Sequence, residues 1–131
     1  MSATTPQATV TQIVLVGHCI PDTAMLRSAM RTLLGDIAVV SPATEKELEA
    51  HLTPRSLLLV NRVLEPGFAE DSSGIALIRK LAALPNPPRM ILVSNYEDAQ
   101  AQAVEAGALP GFGKAQLGKP ETRQRLLDAI A

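Results

Sequence analysis

The sequence predicts a three-layer, doubly wound α/β domain built on a five-stranded parallel sheet. Short β-branched or apolar runs alternate with helical patterns five times along the chain. The first, third and fourth runs are continuously apolar, which is typical of central parallel strands covered by helices on both faces. Apolar residues make up 47% of the chain and aromatic residues only 2%, so the predicted core is aliphatic. Right-handed crossovers between the strands then give the doubly wound arrangement.

The five pairs of elements follow one another in order along the chain. The predicted strands are QIVLV (12–16), IAVVS (37–41), SLLLV (56–60), RMILVS (89–94) and the weaker ALPGFG (108–113). The predicted helices are DTAMLRSAMRTLLG (22–35), TEKELEAHL (44–52), SGIALIRKLAAL (73–84), EDAQAQAVEAG (97–107) and PETRQRLLDAI (120–130). Each helix is long enough to cover a stretch of sheet with its apolar face.

Local signals mark the ends of several helices. In the first helix Asp22 is placed to cap the start and Gly35 to end it. Thr44 and Glu47 have the spacing of a capping box, and Gly107 closes the fourth helix. The first helix is expected to bury one face, made of Met25, Leu26, Ala29, Met30, Leu33 and Leu34.

Composition excludes several classes of function. Twelve Lys and Arg against 13 Asp and Glu give a net charge of −1, which offers no broad field for nucleic acid or anionic lipid. The single cysteine cannot form an internal disulfide, and no apolar run approaches the ~20 residues of a membrane span. Residues 1–10 are polar and Thr-rich, with no pattern of a signal peptide, and are expected to form a disordered tail. We therefore expect a cytoplasmic protein with one domain, residues 11–131.

Polar residues stand where the predicted strands end. Gly17, His18 and Cys19 follow the first strand, and Asn61, Ser94 and Lys114 come at or just after the ends of the third, fourth and fifth. In doubly wound sheets the functional crevice lies beyond the carboxyl ends of the strands. The sequence therefore predicts that these residues converge on one pocket.

Over residues 11–131 this pattern resembles the receiver domain of bacterial two-component response regulators. The resemblance implies a flavodoxin-like (βα)5 fold with strand order 2-1-3-4-5. In that family an acidic pair after the first strand holds Mg²⁺, and an aspartate after the third accepts a phosphoryl group. A Ser or Thr follows the fourth strand and a Lys follows the fifth. The carboxylate attacks phosphorus, while the metal, hydroxyl and ammonium neutralise the developing charge.

Matched to the family position by position, this chain lacks the two groups that perform the chemistry. The acidic pair falls on His18 and Cys19, and the phosphoacceptor falls on Asn61 in LLLVNRVLEP. Ser94 in ILVSNY and Lys114 in GFGKA match the hydroxyl and lysine positions. A carboxamide is a poor nucleophile, and Mg²⁺ needs hard oxygen ligands. The resemblance thus implies a degenerate receiver that is not an enzyme and binds neither a metal nor a cofactor.

Two further positions depart from the family. The aromatic residue that rotates inward in signalling receivers falls on Gly111, and the residue after Lys114 is Ala115, where the family usually has proline. The resemblance implies a protein partner, docked on the face formed by helix 4, strand 5 and helix 5, and it leaves room for a homodimer. The expected role is signal transduction by protein contact, independent of aspartyl phosphorylation. A Lys114–Asn61–Ser94 network would hold the pocket in one state.

A sensor is the alternative hypothesis for the same residues. Cys19 lies ahead of a helix N-terminus and is expected near Lys114. The positive end of the helix dipole and the lysine ammonium group both favour a reactive thiolate. With His18 and Lys114 it would respond to oxidant, metal or a small anion. Zinc needs three or four protein ligands, whereas His51 is far along the chain and no second cysteine exists. A free cysteine also commonly behaves as a small buried hydrophobe.

Overall fold

The computed structural model describes residues 9–68 and 72–131. The strands are β1 (Gln12–Val16), β2 (Ala38–Val40), β3 (Ser56–Asn61), β4 (Arg89–Val93) and β5 (Leu109–Phe112). The helices are α1 (Ile20–Leu34), α2 (Glu45–Leu48), α3 (Gly74–Ala82), α4 (Glu97–Ala106) and α5 (Pro120–Ile130), with short 3₁₀ turns at Glu49–His51 and Lys114–Gln116. All strand pairs are parallel and their order is β2-β1-β3-β4-β5. The predicted fold class and strand order are confirmed.

The sheet divides the core into two layers because successive side chains of a strand point to opposite faces. One layer joins Val14, Leu58, Val60, Met90 and Leu92 to residues of α2, α3 and α4. The other joins Ile13, Leu15, Leu57, Leu59, Ile91 and Val93 to residues of α1 and α5. Strand β3 is buried on both faces from Leu57 to Val60, as its apolar run predicted.

Helix α1 begins earlier than the sequence predicted. Its first residue is Ile20 and its N-cap is Cys19, whereas Asp22 lies inside the first turn. The reason is Pro21, because proline fits the first turn of a helix, where its missing N–H has no partner to lose. Asp22 therefore does not cap the helix, and its carboxylate is left for another partner.

The buried face of α1 is narrower than expected. Leu26 and Met30 are completely buried, and Ala29, Leu33 and Leu34 are half-buried, but Met25 is exposed. A helix packed on a sheet buries only a stripe of its own surface, and Met25 lies outside the stripe that α1 buries.

The glycine signals and the Thr44 cap are present, but the Glu47 carboxylate accepts from the Thr44 hydroxyl at 3.3 Å, and no hydrogen bond of the described residues joins it to the Thr44 amide as in a capping box. Gly35 ends α1, Gly107 ends α4 with φ of 122°, and the Thr44 hydroxyl accepts a hydrogen bond from the Glu47 amide at 3.1 Å. Helix α2 is shorter than predicted, because the chain tightens into a 3₁₀ turn after Leu48.

At the N-terminus, residues 1–8 of the expected tail lie outside the described residues. Thr9 and Val10 donate their amides to the Ile130 carbonyl, and Val10 is buried in the core layer that contains α1 and α5. The packed chain thus begins before residue 11. Among the described residues, no helix is both long and apolar enough to cross a membrane.

Candidate functional site

The polar residues predicted at the strand ends line two cavities rather than one. Asn61, Ser94 and Lys114 line a small depression of about 170 Å³ beside β4 and β5. His18 and Cys19 line a larger cavity of about 520 Å³ on the β2 side. The five residues of the predicted pocket are thus divided between two neighbouring hollows.

Asn61 is held by its amide group at the end of β3. Its Nδ2 donates to the Gly17 carbonyl at 3.2 Å and to the Val63 carbonyl at 2.8 Å. Its Oδ1 accepts from Lys114 Nζ at 3.4 Å. An ionised carboxylate has no hydrogen to donate, so an aspartate here would face two carbonyl oxygens. The surroundings of this side chain thus match a carboxamide.

Lys114 has its shortest contact with Asp22, from the first turn of α1. Lys114 Nζ lies 2.7 Å from Asp22 Oδ2, and both side chains are partly buried. The hydrogen bond from Lys114 lowers the pKa of Asp22, and a hydrogen bond from the Cys19 side chain lowers it further. Sequence analysis missed this carboxylate because it assigned Asp22 to the helix cap. The available signal was that Asp22 stands in the first turn of α1, at the edge of the sheet where Lys114 also lies, so that the two charges can meet.

Ser94 takes no part in this network. Its hydroxyl accepts a hydrogen bond from the Tyr96 amide at 3.2 Å, and its own amide donates to the Phe112 carbonyl at 2.9 Å. Among the hydrogen bonds of residues 9–68 and 72–131, none joins the hydroxyl to Asn61 or Lys114. The expected lysine, asparagine and serine network is replaced by an Asp22–Lys114–Asn61 chain.

His18 is buried and neutral. Its Nε2 lies 2.8 Å from the Leu59 carbonyl, and because a carbonyl only accepts, Nε2 carries the proton. Burial lowers the pKa of His18 from 6.5 to about 4. Lys114 lowers it as well, whereas the Leu59 hydrogen bond and Asp22 oppose the shift. Nδ1 is a buried acceptor that has no hydrogen-bond partner among the described residues.

The donor set does not fit Mg²⁺. His18 has its Nε2 bound to a carbonyl, Cys19 offers a soft sulfur atom, and Asp22 already binds an ammonium group. Across residues 9–68 and 72–131, no group of three or more His, Cys, Asp or Glu side chains is placed to hold a metal ion. His51 contacts Gln12 at the start of β1, the opposite end of the strand from His18.

Gly111, which the sequence resemblance matched to a switch aromatic, is packed closely on its neighbours. A Cβ at Gly111 would overlap the Leu92 carbonyl and lie 2.7 Å from Gln100 Oε1. Gln100 Nε2 lies 2.8 Å from the Leu92 carbonyl, 3.0 Å from that of Ser94 and 3.3 Å from that of Phe112. This one side chain of α4 thus joins β4 to β5, where their register shifts. Sequence analysis did not single out Gln100.

Comparison with solved structures finds the same architecture in receiver domains. A putative response regulator from Chloroflexus aurantiacus J-10-fl matches with a TM-score of 0.67 at 19% identity, over 92% of this chain and 98% of that chain. The chain has the receiver fold. The signal receiver domain of a DNA-binding response regulator from Colwellia psychrerythraea 34H matches with a TM-score of 0.67 at 13% identity, over 91% and 97% of the two chains. A CheY-like receiver domain protein from Methanospirillum hungatei JF-1 matches at 24% identity with a TM-score of 0.57, over 92% and 90%. No family model and no curated protein sequence matches the chain.

Proposed function

We propose that this chain is a receiver-like signalling domain that acts through protein contact and is not phosphorylated on an aspartyl residue. The observation that carries the proposal is the environment of Asn61. Its amide donates to two backbone carbonyls and accepts from Lys114, so the phosphoacceptor position is adapted to a neutral side chain. The receiver fold supports the signalling role, and the protein is proposed not to be an enzyme.

The chemistry of the depression supports phosphorylation independence. Transfer of a phosphoryl group needs an oxygen nucleophile and a cation that neutralises the phosphoryl oxygens. Here Lys114, the cation matched to that task, is paired with Asp22 at 2.7 Å. The Asp22 carboxylate takes the place of a negatively charged ligand of Lys114 and neutralises its charge. The proposed outcome is one permanent state of the pocket.

The proposed contact surface is the face formed by α4, β5 and α5. It exposes Val104 and Leu109, and beside Leu109 a hollow of about 110 Å³ is lined by Pro110 and Arg125. The Arg125 guanidinium donates to the Gly111 carbonyl and so fixes α5 on β5. An apolar patch rimmed by charge is typical of protein interfaces.

The test is affinity purification of the tagged chain from its native cells, with quantitative mass spectrometry of the proteins recovered. We expect Val104→Lys to lose a partner that the wild-type chain retains, because the substitution places a charge in the proposed interface. Leu84→Lys is the matched control. Leu84 is 38% exposed, close to the 45% of Val104, but it follows α3 and so does not belong to the face formed by α4, β5 and α5. Equal recovery by Val104→Lys and the wild-type chain would contradict the proposed face. Repeating the purification under oxidising conditions tests the alternative, in which half-exposed Cys19 controls binding.

A further inference from the structure

The cavity lined by His18 and Cys19 is a concave site that the proposed function does not use. It measures about 520 Å³, within the range of roughly 300–1,000 Å³ that is usual for small-molecule sites. It lies beyond the carboxyl end of β1, between α1 and the loops that follow β2 and β3. One face of α1 forms a wall with Ile20, Thr23, Ala24 and Arg27, which have the spacing of neighbours on a helix surface.

The body of the cavity is apolar. Pro42, Ala43, Pro66 and Phe68 form the walls opposite α1. At its edge, Ile20 is 87% exposed, the highest value among the exposed large apolar side chains of the described residues. A large apolar residue exposed beside a hollow marks a surface that another molecule can cover. The walls therefore favour a ligand with a flat apolar body.

The two ends of the cavity have opposite hydrogen-bonding character. At the β1 end, His18 lines the cavity and its Nδ1 is a buried acceptor without a partner. Glu65 lines the same end, since its amide donates to the Gly17 carbonyl at 3.0 Å. An unpaired buried acceptor is costly and calls for a donor. Glu65 also brings a carboxylate, which only accepts hydrogen bonds, so this end favours a ligand group that donates an N–H or O–H.

At the β2 end, the cavity carries the positive charge of Arg27. The guanidinium donates to the Val39 carbonyl at 2.6 Å and to Ser41 Oγ at 2.7 Å, which fixes its position. Within residues 9–68 and 72–131 it forms no ion pair. A guanidinium has five N–H donors, so a fixed Arg27 retains donors for a carboxylate.

We propose that this cavity binds a small organic acid, in which a flat apolar ring carries a carboxylate at one end and an N–H or O–H donor at the other. The carboxylate lies against Arg27, the ring between the proline and phenylalanine side chains and Ile20, and the donor at the His18 and Glu65 end. The inference is independent of the proposed function, because it concerns a different cavity and needs no protein partner.

The test is a titration followed by NMR of the ¹⁵N-labelled protein, with three probes of nearly equal shape. We expect 4-aminobenzoate to shift the amide signals of Gly17, Thr23 and Ser41, with a dissociation constant of about 1 mM for a ligand of this size. In 4-methylbenzoate a methyl group replaces the donor, and in 4-aminobenzamide a neutral amide replaces the carboxylate. We expect each of them to bind about tenfold more weakly.

Variants identify the site. Arg27→Gln is expected to weaken 4-aminobenzoate about tenfold and to leave 4-aminobenzamide unchanged, because only the former carries a charge. Arg31→Gln, one turn later on α1 and outside the cavity, is the matched control. Ala24→Leu keeps a good helix former and narrows the cavity, so it should also reduce binding. The inference is overturned if no signal shifts at about 10 mM probe, if the three probes bind equally, or if the shifts centre on Ser94 and Lys114.

Discussion

Because His18 is buried in its neutral form, we expect the protein to be less stable at acidic pH. In the folded protein the pKa of His18 is lowered from 6.5 to about 4, chiefly because burial removes water from the ring. The unfolded chain therefore binds a proton at a higher pH than the folded chain does. The resulting stability is fully present above pH 6.5 and is lost as the pH falls towards 4.

The size of the effect follows from these two values. Between pH 7.5 and pH 5 the linkage relation gives a loss of about 2 kcal/mol in the free energy of unfolding. Substitution His18→Gln removes the titrating group and retains an amide that can donate to the Leu59 carbonyl. We expect the variant to be less stable at pH 7.5, but to lose about 2 kcal/mol less than the wild-type protein when the pH is lowered.

The assay is urea unfolding at pH 7.5, 6.5, 5.5 and 5.0, followed by circular dichroism, for wild type, His18→Gln and His51→Gln. His51 is the chain's other histidine, so His51→Gln controls for the loss of an imidazole. Parallel curves for wild type and His18→Gln would refute the assignment of His18 as a buried neutral residue.

Three further predictions test the contacts around the site. Asp22→Asn removes the charge partner of part-buried Lys114 and should lower the free energy of unfolding, measured by thermal unfolding, by about 0.5–1 kcal/mol. Glu45→Gln breaks the more exposed ion pair with Lys80 and should lower it by almost nothing. Equal losses in the two variants would contradict the pairing of Asp22 with Lys114. Gln100→Ala should accelerate amide hydrogen exchange in β5, because it removes the side chain that joins β4 to β5. The control Gln102→Ala, at an exposed position, should leave the exchange unchanged. Gly113→Ala should destabilise the protein by about 2–3 kcal/mol, because the added methyl group would overlap Asn95. Gly118→Ala, with open space around it, should change the free energy of unfolding by less than about 0.5 kcal/mol, and similar values for the two variants would refute the packing argument.

The fold could be predicted because each level of the sequence points to the same architecture. The apolar run of β3 matches burial on both faces, and the glycines at 35 and 107 end their helices. Chain direction alone brings the ends of parallel strands to one edge of the sheet. The positions of Asn61, Ser94 and Lys114 around one depression follow from that rule.

The contacts within the site depend on side-chain direction, which strand and helix patterns do not specify. Asp22 pairs with a lysine 92 residues away because α1 begins at Ile20, and a helix beginning three residues later, at Thr23, would have made Asp22 its cap. Gln100 and Gln102 look equivalent in the sequence. Only the packing of α4 on the sheet places Gln100 over the β4–β5 junction and leaves Gln102 exposed.

The central claim is that the pocket accepts no phosphoryl group, and intact-protein mass spectrometry tests it most directly. The chain is incubated with acetyl phosphate and Mg²⁺, beside a receiver domain that retains its aspartate as positive control. We expect the mass of this protein to stay unchanged, because Asn61 offers a carboxamide and Lys114 is paired with Asp22. Asn61→Asp should also stay unmodified, since His18 and Cys19 supply no ligands suited to Mg²⁺. A gain of one phosphoryl group by the wild-type chain would contradict the account.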